Sequence, residues 1–198
     1  RCQKAGFHSD FIRVKDGLSR INVKMKSDEE TEINGMGPDI TGKNVELLFE
    51  QLNELKAGDV LVLSGSIPSS IRSSIYKEIM ERLQGRGIQI VVDAEKALLM
   101  EVLPLHPFLI KPNNHELGEM FGVVLKSDDE IVEYAKKLQV MGARNVLISM
   151  AGDGAILITE TGEVHKIGVP KGTVVNSVGA GDSMVARPLP PSMATSTV

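Results

Sequence analysis

The sequence predicts an α/β fold, a parallel sheet with helices on both faces, accompanied by a small antiparallel β element near the start of the chain. Three observations predict it. Short apolar runs of strand length recur at 60–63, 88–92, 108–110 and 146–148, and each is apolar on both faces, as a strand inside a parallel sheet must be. Segments with helical apolar spacing separate these runs, so right-handed crossovers connect them. Each run also ends on a polar or Gly-rich cluster, and open α/β sheets bind ligands beyond the carboxyl ends of their strands.

In chain order, 11–14, 20–25 and 30–34 read as short strands separated by the Asp16-Gly17 and Ser27-Asp28 turn signals, close enough together to be antiparallel. Even spacing places Arg20, Asn22 and Lys24 on one strand face, either a grip for a phosphorylated substrate or a solvated edge. From Thr41 the period becomes helical, with Val45, Leu48, Leu52 and Leu55, and Ala57-Gly58-Asp59 closes the segment. The run Val60-Leu61-Val62-Leu63 leads into Ser64-Gly65-Ser66. A helix with Ile71, Ile75, Ile79 and Leu83 on one stripe ends at Gly85 and Gly87. A strand over 88–92 ends on Asp93, a helix covers 94–101, and a third strand, 108–110, ends on Lys111-Pro112-Asn113. The stripe Ile131, Tyr134, Ala135, Leu138 precedes a fourth strand, 146–148, which ends at Ser149. Gly152-Asp153-Gly154 is then either part of a ligand rim or a β-turn before a strand over 155–159.

Composition narrows the function. The chain has 198 residues, is 42% hydrophobic and carries a net charge of −4, enough for one domain with a sizeable core. No basic run marks a nucleic-acid footprint, and the absence of Trp with few Tyr and Phe removes base-stacking platforms. The lone Cys2 excludes an internal disulfide framework and suits a reducing, cytoplasmic setting. No apolar run reaches membrane-spanning length, so no membrane partner is expected.

The chemistry centres on Gly179-Ala180-Gly181-Asp182. Small residues opening a helix expose backbone N–H groups and the positive end of the helix dipole, which together attract an anion. Asp182 would repel a phosphate unless it acts as a general base on an attacking hydroxyl, although Asp is also an ordinary helix cap. Asn113 and Glu116, three apart at a helix start, suit either a hydrated Mg2+ or a cap with a first-turn acid.

The runs Val62-Leu63-Ser64-Gly65-Ser66-Ile67-Pro68, Leu109-Ile110-Lys111-Pro112-Asn113-Asn114-His115-Glu116-Leu117, Ser149-Met150-Ala151-Gly152-Asp153-Gly154 and Asn176-Ser177-Val178-Gly179-Ala180-Gly181-Asp182-Ser183 occur in the order and spacing of ribokinase-like sugar kinases of the phosphofructokinase B type. The segment from Arg20 to Gly35 resembles the β lid of the 1-phosphofructokinase branch, with the tagatose-6-phosphate kinase branch close by. The resemblance runs from about Phe11 to Ala186 and implies an ATP-dependent sugar-phosphate kinase. Its most direct reaction is fructose 1-phosphate to fructose 1,6-bisphosphate, with tagatose 6-phosphate or fructose 6-phosphate as the alternative substrate. By the same resemblance Asp182 is the catalytic base and Gly179, Ala180 and Gly181 form the anion hole. Asn113 and Glu116 organise Mg2+ through water. Ser149, Gly152 and Gly154 are nucleotide-binding positions, with Lys111 beside the triphosphate. Arg20, Lys24 and Ser66 are candidates for the phosphate already on the substrate. A homodimer through the β lid follows by analogy alone.

The resemblance divides the chain into lid strands and an N-terminal remnant (1–40), an α/β core (41–186) and an aberrant tail (187–198). Three prolines in that tail stop the helix, and its Ser/Thr/Pro composition reads as disordered. Without an initiating Met or the family's opening and closing sections, the chain is expected to be truncated at both ends. That makes a catalytically silent, phosphate-binding derivative the second functional reading, and poor turnover by these residues alone the expectation.

Overall fold

A computed structural model describes residues 8–26, 30–169, 172 and 179–186. The tail 187–198 and the signature residues Asn176, Ser177 and Val178 lie outside the described residues. The chain forms two compact units: Arg1–Leu55 with Ile67–Ile75, and Lys56–Ser66 with Tyr76–Val198.

The second unit is built on a six-stranded sheet: β3 (Val60–Ser64), β4 (Gln89–Asp93), β5 (Leu109–Ile110), β6 (Asn145–Ser149), β7 (Ala155–Ile158) and β8 (Val164–Ile167), neighbours in that order. The first four are parallel, β7 runs antiparallel to β6, and β8 turns back antiparallel to β7. The sheet is therefore mixed, because the short connections after Ser149 and Ile158 reverse the chain and leave no room for a crossover. Strand β8 was not legible in the sequence: all four of its residues are exposed, so it carries no apolar run.

Register separates the two faces of the sheet. Val60 pairs with Gln89, Val62 with Val91, Val91 with Leu109 and Leu147 with Leu157, so these side chains share one face. Leu61, Val92, Ile110, Val146, Ile148 and Ile158 alternate onto the other face and are almost completely buried. Helices α2 (Ile75–Leu83), α3 (Lys96–Val102), α4 (Asn114–Phe121) and α5 (Asp128–Val140) connect parallel strands laid down in sequential order. Right-handed crossovers taken always in the same direction put those helices on one face, and α4 and α5 indeed contact β6. The opposite face receives α6 (Ala180–Ala186), whose Val185 and Met184 pack on Val60, Val91, Leu109, Leu147 and Ala155. Burying Val185 is worth about 1.5 kcal/mol and anchors α6 by its last turn, leaving its first turn at the strand ends.

In the first unit, β1 (Asn22–Lys26) and β2 (Glu30–Asn34) form the expected antiparallel pair, with Val23 opposite Ile33 and Lys24 opposite Glu32. Helix α1 (Gly42–Asn53) follows, closed at its start by a Thr41–Asn44 capping box. Two expectations fail here. Residues 11–14 form no strand; the carbonyls of Asp10 and Arg13 accept instead from the side-chain amides of Gln51 and Asn44 on α1, at 3.1 and 3.4 Å. Ile71 precedes α2 and sits in a turn in which its N–H donates to the Pro68 carbonyl.

Candidate active site

The face that carries α6 turns polar where its strands end. Ser64 pairs with Asp93, and Lys111 and Ser149 each follow an inward apolar residue, Leu109 or Leu147, by two positions. Period-2 alternation therefore brings Ser64, Asp93, Lys111 and Ser149 to one rim on one face. Backbone bonds tie this rim together: Gly65 N–H donates to the Asp93 carbonyl (3.1 Å), Lys111 N–H to Val92 (3.3 Å) and Ser149 N–H to Pro112 (3.2 Å). Asn113 also bridges Ser149 in parallel. The clusters expected from the sequence are thus one continuous edge.

Lys111 is the buried cation of this edge, 9% exposed. Its ammonium lies 3.1 Å from an Asp93 carboxylate oxygen. Nothing larger than hydrogen fits at Gly181 without crowding it, because a Cβ there would sit 3.3 Å from Lys111 Nζ. One charge therefore spans the end of β4 and the start of α6.

Gly179 immediately precedes α6 with φ +81°, a left-handed conformation open to glycine, and its carbonyl accepts the Ser183 N–H at 3.0 Å and the Ser183 hydroxyl at 2.9 Å. The N–H groups of Ala180, Gly181 and Asp182 precede that first helical bond and so have no acceptor within the helix. Asp182 stands in the first turn with its side chain exposed, where its charge also favours the helix dipole. The Lys111 cation beside Gly181 joins the donor N–H groups and the solvent-reaching carboxylate of the first turn of α6, an arrangement that can hold a phosphoryl group and accept a proton beside it.

Asn113 and Glu116 form a reciprocal capping box on α4: Glu116 N–H donates to Asn113 Oδ1 (2.8 Å), and Asn113 N–H donates to Glu116 Oε2 (2.7 Å). The cap uses Glu116 Oε2 and fixes the carboxylate's direction, so Oε1 is the oxygen offered to a ligand. The capping alternative seen in the sequence is therefore real, and it leaves half the carboxylate for other work.

Beyond Ser149 the chain makes a 3-10 turn, Ala151–Asp153, closed by the Met150 N–H to Gly154 carbonyl bond of 2.8 Å. Gly152 is exposed in open space, whereas Gly154 is buried at φ +93° and any Cβ there would collide with the Ile167 carbonyl. Packing alone requires the second glycine. Ser66 follows Gly65 directly on the rim. Arg20 and Lys24 belong to the other unit. Arg20 precedes β1 instead of lying in it, and its Nε donates to Asn22 Oδ1 at 2.9 Å.

The model of the pfkB family of carbohydrate kinases matches residues 1–187. The chain belongs to that family. As a pfkB family member it is 49% identical over 176 residues to 1-phosphofructokinase of Bacillus subtilis, covering 89% of this chain and 57% of that protein. It is 34% identical over 179 residues to D-tagatose-1-phosphate kinase of Bacillus licheniformis, covering 90% and 58%. Among solved structures, a Staphylococcus aureus protein described as a phosphofructokinase superposes with a TM-score of 0.79 at 43% identity, covering 92% of this chain and 59% of that one. The chain thus spans less than two thirds of the length of these relatives.

Two residues of this pfkB site carried no role in the sequence reading. Asp93 was placed on the rim without a partner, though counting register from Val60 would have set it beside Ser64 and across from Lys111. Tyr76 gave no signal, because its place on α2 resembled any half-buried helical tyrosine.

Proposed function

We propose that the protein phosphorylates a ketose 1-phosphate with ATP, most directly fructose 1-phosphate to fructose 1,6-bisphosphate. The observation that carries this reading is the Lys111 ammonium held between Asp93 and Gly181, at the turn that presents Asp182. Asp182 takes the proton of the sugar's free primary hydroxyl as its oxygen forms a bond to the γ-phosphorus, and ADP departs with the electrons of the broken P–O bond. The N–H groups of residues 180–182 and Lys111 stabilise the charge on the transferred group. Ser149, Gly152 and the turn held by Gly154 line the path of the nucleotide, and Ser66 receives the phosphate already on the sugar.

Mg2+ fits the donor set around Glu116. Among the described residues no three His, Cys, Asp or Glu side chains gather into a metal cage. One fixed carboxylate with an open oxygen suits an ion that keeps water and phosphate ligands. Glu116, oriented by Asn113, would hold it through water, and bound Mg2+ would neutralise charge on the phosphates.

The named relatives act on substrates phosphorylated at C1, which favours fructose 1-phosphate or its tagatose counterpart over 6-phosphates. The test is ADP release with fructose 1-phosphate, tagatose 1-phosphate, tagatose 6-phosphate and fructose 6-phosphate. The highest kcat/KM is expected for fructose 1-phosphate. A preference for a 6-phosphate moves the reading to that substrate, and no ADP release with any of them removes the kinase reading.

The hairpin carries a partner surface in the same reading. Ile21, Val23, Met25 and Ile33 stand 46–65% exposed, with Val23 and Ile33 cross-strand partners on one face. An apolar strand face of this kind favours a homodimer through the lid. Val23→Lys should raise the dimer dissociation constant in sedimentation; an unchanged constant would discard this contact. Among the described residues no helix is long and apolar enough to cross a membrane.

A further inference from the structure

We propose that Tyr76 is a positioning residue that fixes the Gly65–Ser66 peptide for the substrate's own phosphate. The proposal rests on the sugar-phosphate reading above. The Tyr76 hydroxyl, on the second residue of α2, donates to the Gly65 carbonyl at 3.1 Å. The N–H of the same Gly65 donates to the Asp93 carbonyl at 3.1 Å. Gly65 is thus held at both of its backbone polar groups, in a left-handed conformation (φ +93°) that the chain adopts only because a glycine stands there.

The two bonds do different things. The Asp93 bond extends the β3–β4 ladder by one residue and belongs to the sheet. The Tyr76 bond reaches across from the following helix to a carbonyl beyond the end of the strand. The peptide is planar and trans, so aiming the Gly65 carbonyl at Tyr76 directs the Ser66 N–H the opposite way, away from α2. The space where a Cβ of Gly65 would lie is open, with no heavy atom within 4 Å. A turn with an unobstructed glycine, an oriented N–H and a serine hydroxyl beside it suits a dianionic phosphate monoester. Without the phenol the peptide can rotate, and each binding event must then re-order it.

Tyr76 is also kept in its donor form. Burial, and secondly the negative charge of Asp93, push its ionisation above the ordinary value of 10.0. The hydroxyl therefore keeps its proton throughout the neutral range and donates constantly.

The test is Tyr76→Phe in the protein, which removes one oxygen and keeps the ring. The dissociation constant and KM for fructose 1-phosphate should rise about 3- to 10-fold, the change expected from one neutral hydrogen bond. Values of kcat and of KM for ATP should stay within about twofold, and the melting temperature within about 2 °C. Unchanged binding of fructose 1-phosphate, or an equal loss toward ATP, would overturn the positioning role. Wild-type protein that binds fructose 1-phosphate but releases no ADP would contradict the kinase reading alone, and wild-type protein that does not bind it would contradict both.

Discussion

The Lys111 ammonium and the Asp93 carboxylate lie 3.1 Å apart with side-chain exposures of 10% and 19%. They link two parallel strands at the edge from which the site is built. An ion pair this enclosed owes its stability to the pairing, since either charge alone would keep its desolvation cost without compensation.

Lys111→Met should therefore destabilise the fold by about 2–4 kcal/mol. The double variant Asp93→Asn, Lys111→Met should lose less than the sum of the two single changes. Urea unfolding of the four proteins gives the coupling directly, and strict additivity would show that the pair does not act as a unit.

At Asn113 and Glu116 the cap and the proposed metal function separate by substitution. Glu116→Gln keeps a side-chain oxygen for the Asn113 N–H and should cost under about 0.5 kcal/mol, while the Mg2+ concentration for half-maximal rate rises about tenfold or more. Asn113→Ala removes the cap and should cost about 1 kcal/mol. A Mg2+ requirement unmoved in Glu116→Gln would assign Glu116 to the cap alone.

Two glycines of one turn should respond in opposite ways. Gly154→Ala meets the Ile167 carbonyl and an unfavourable φ, so a loss of about 2 kcal/mol or more is expected in thermal unfolding. Gly152→Ala meets nothing and should leave stability within about 0.5 kcal/mol, so any rise in KM for ATP would report on the nucleotide. Equal destabilisation by both would contradict the close approach of β7 and β8.

Tyr76 predicts a feature of the alkaline limb. Its ionisation is raised in the fold from 10.0, by burial first and by Asp93 second. The folded chain then holds this proton more tightly than the unfolded chain, so the contribution is complete below pH 10.0 and lost as pH rises through the higher folded value. Between about pH 9 and about pH 11, wild type should lose stability more steeply than Tyr76→Phe. Parallel slopes in urea titrations would argue against it.

Much of this was legible in the sequence because parallel strands announce themselves. The run Val60-Leu61-Val62-Leu63 and its three counterparts are apolar on both faces, and their polar endings mark the rim. What the sequence hid has no such pattern. Strand β8 buries neither face, the carbonyls of Asp10 and Arg13 are taken by α1 side-chain amides, and the cap at Asn113 draws on the same two residues as any metal role. The Lys111–Asp93 pair and the Tyr76 bond join residues far apart in the chain, so spacing alone could not reveal them. Asn176, Ser177 and Val178, prominent in the motif, lie outside the described residues.

Asp182 is the proposed base, and the rate of ADP release by Asp182→Asn with saturating ATP and fructose 1-phosphate tests that role most directly. The side chain is exposed and near-isosteric after the change, so folding should be intact. A fall in kcat of about 10²- to 10⁴-fold with KM for both substrates nearly unchanged is the predicted result. A kcat within about threefold of wild type would contradict it and return Asp182 to the role of a helix-start acid.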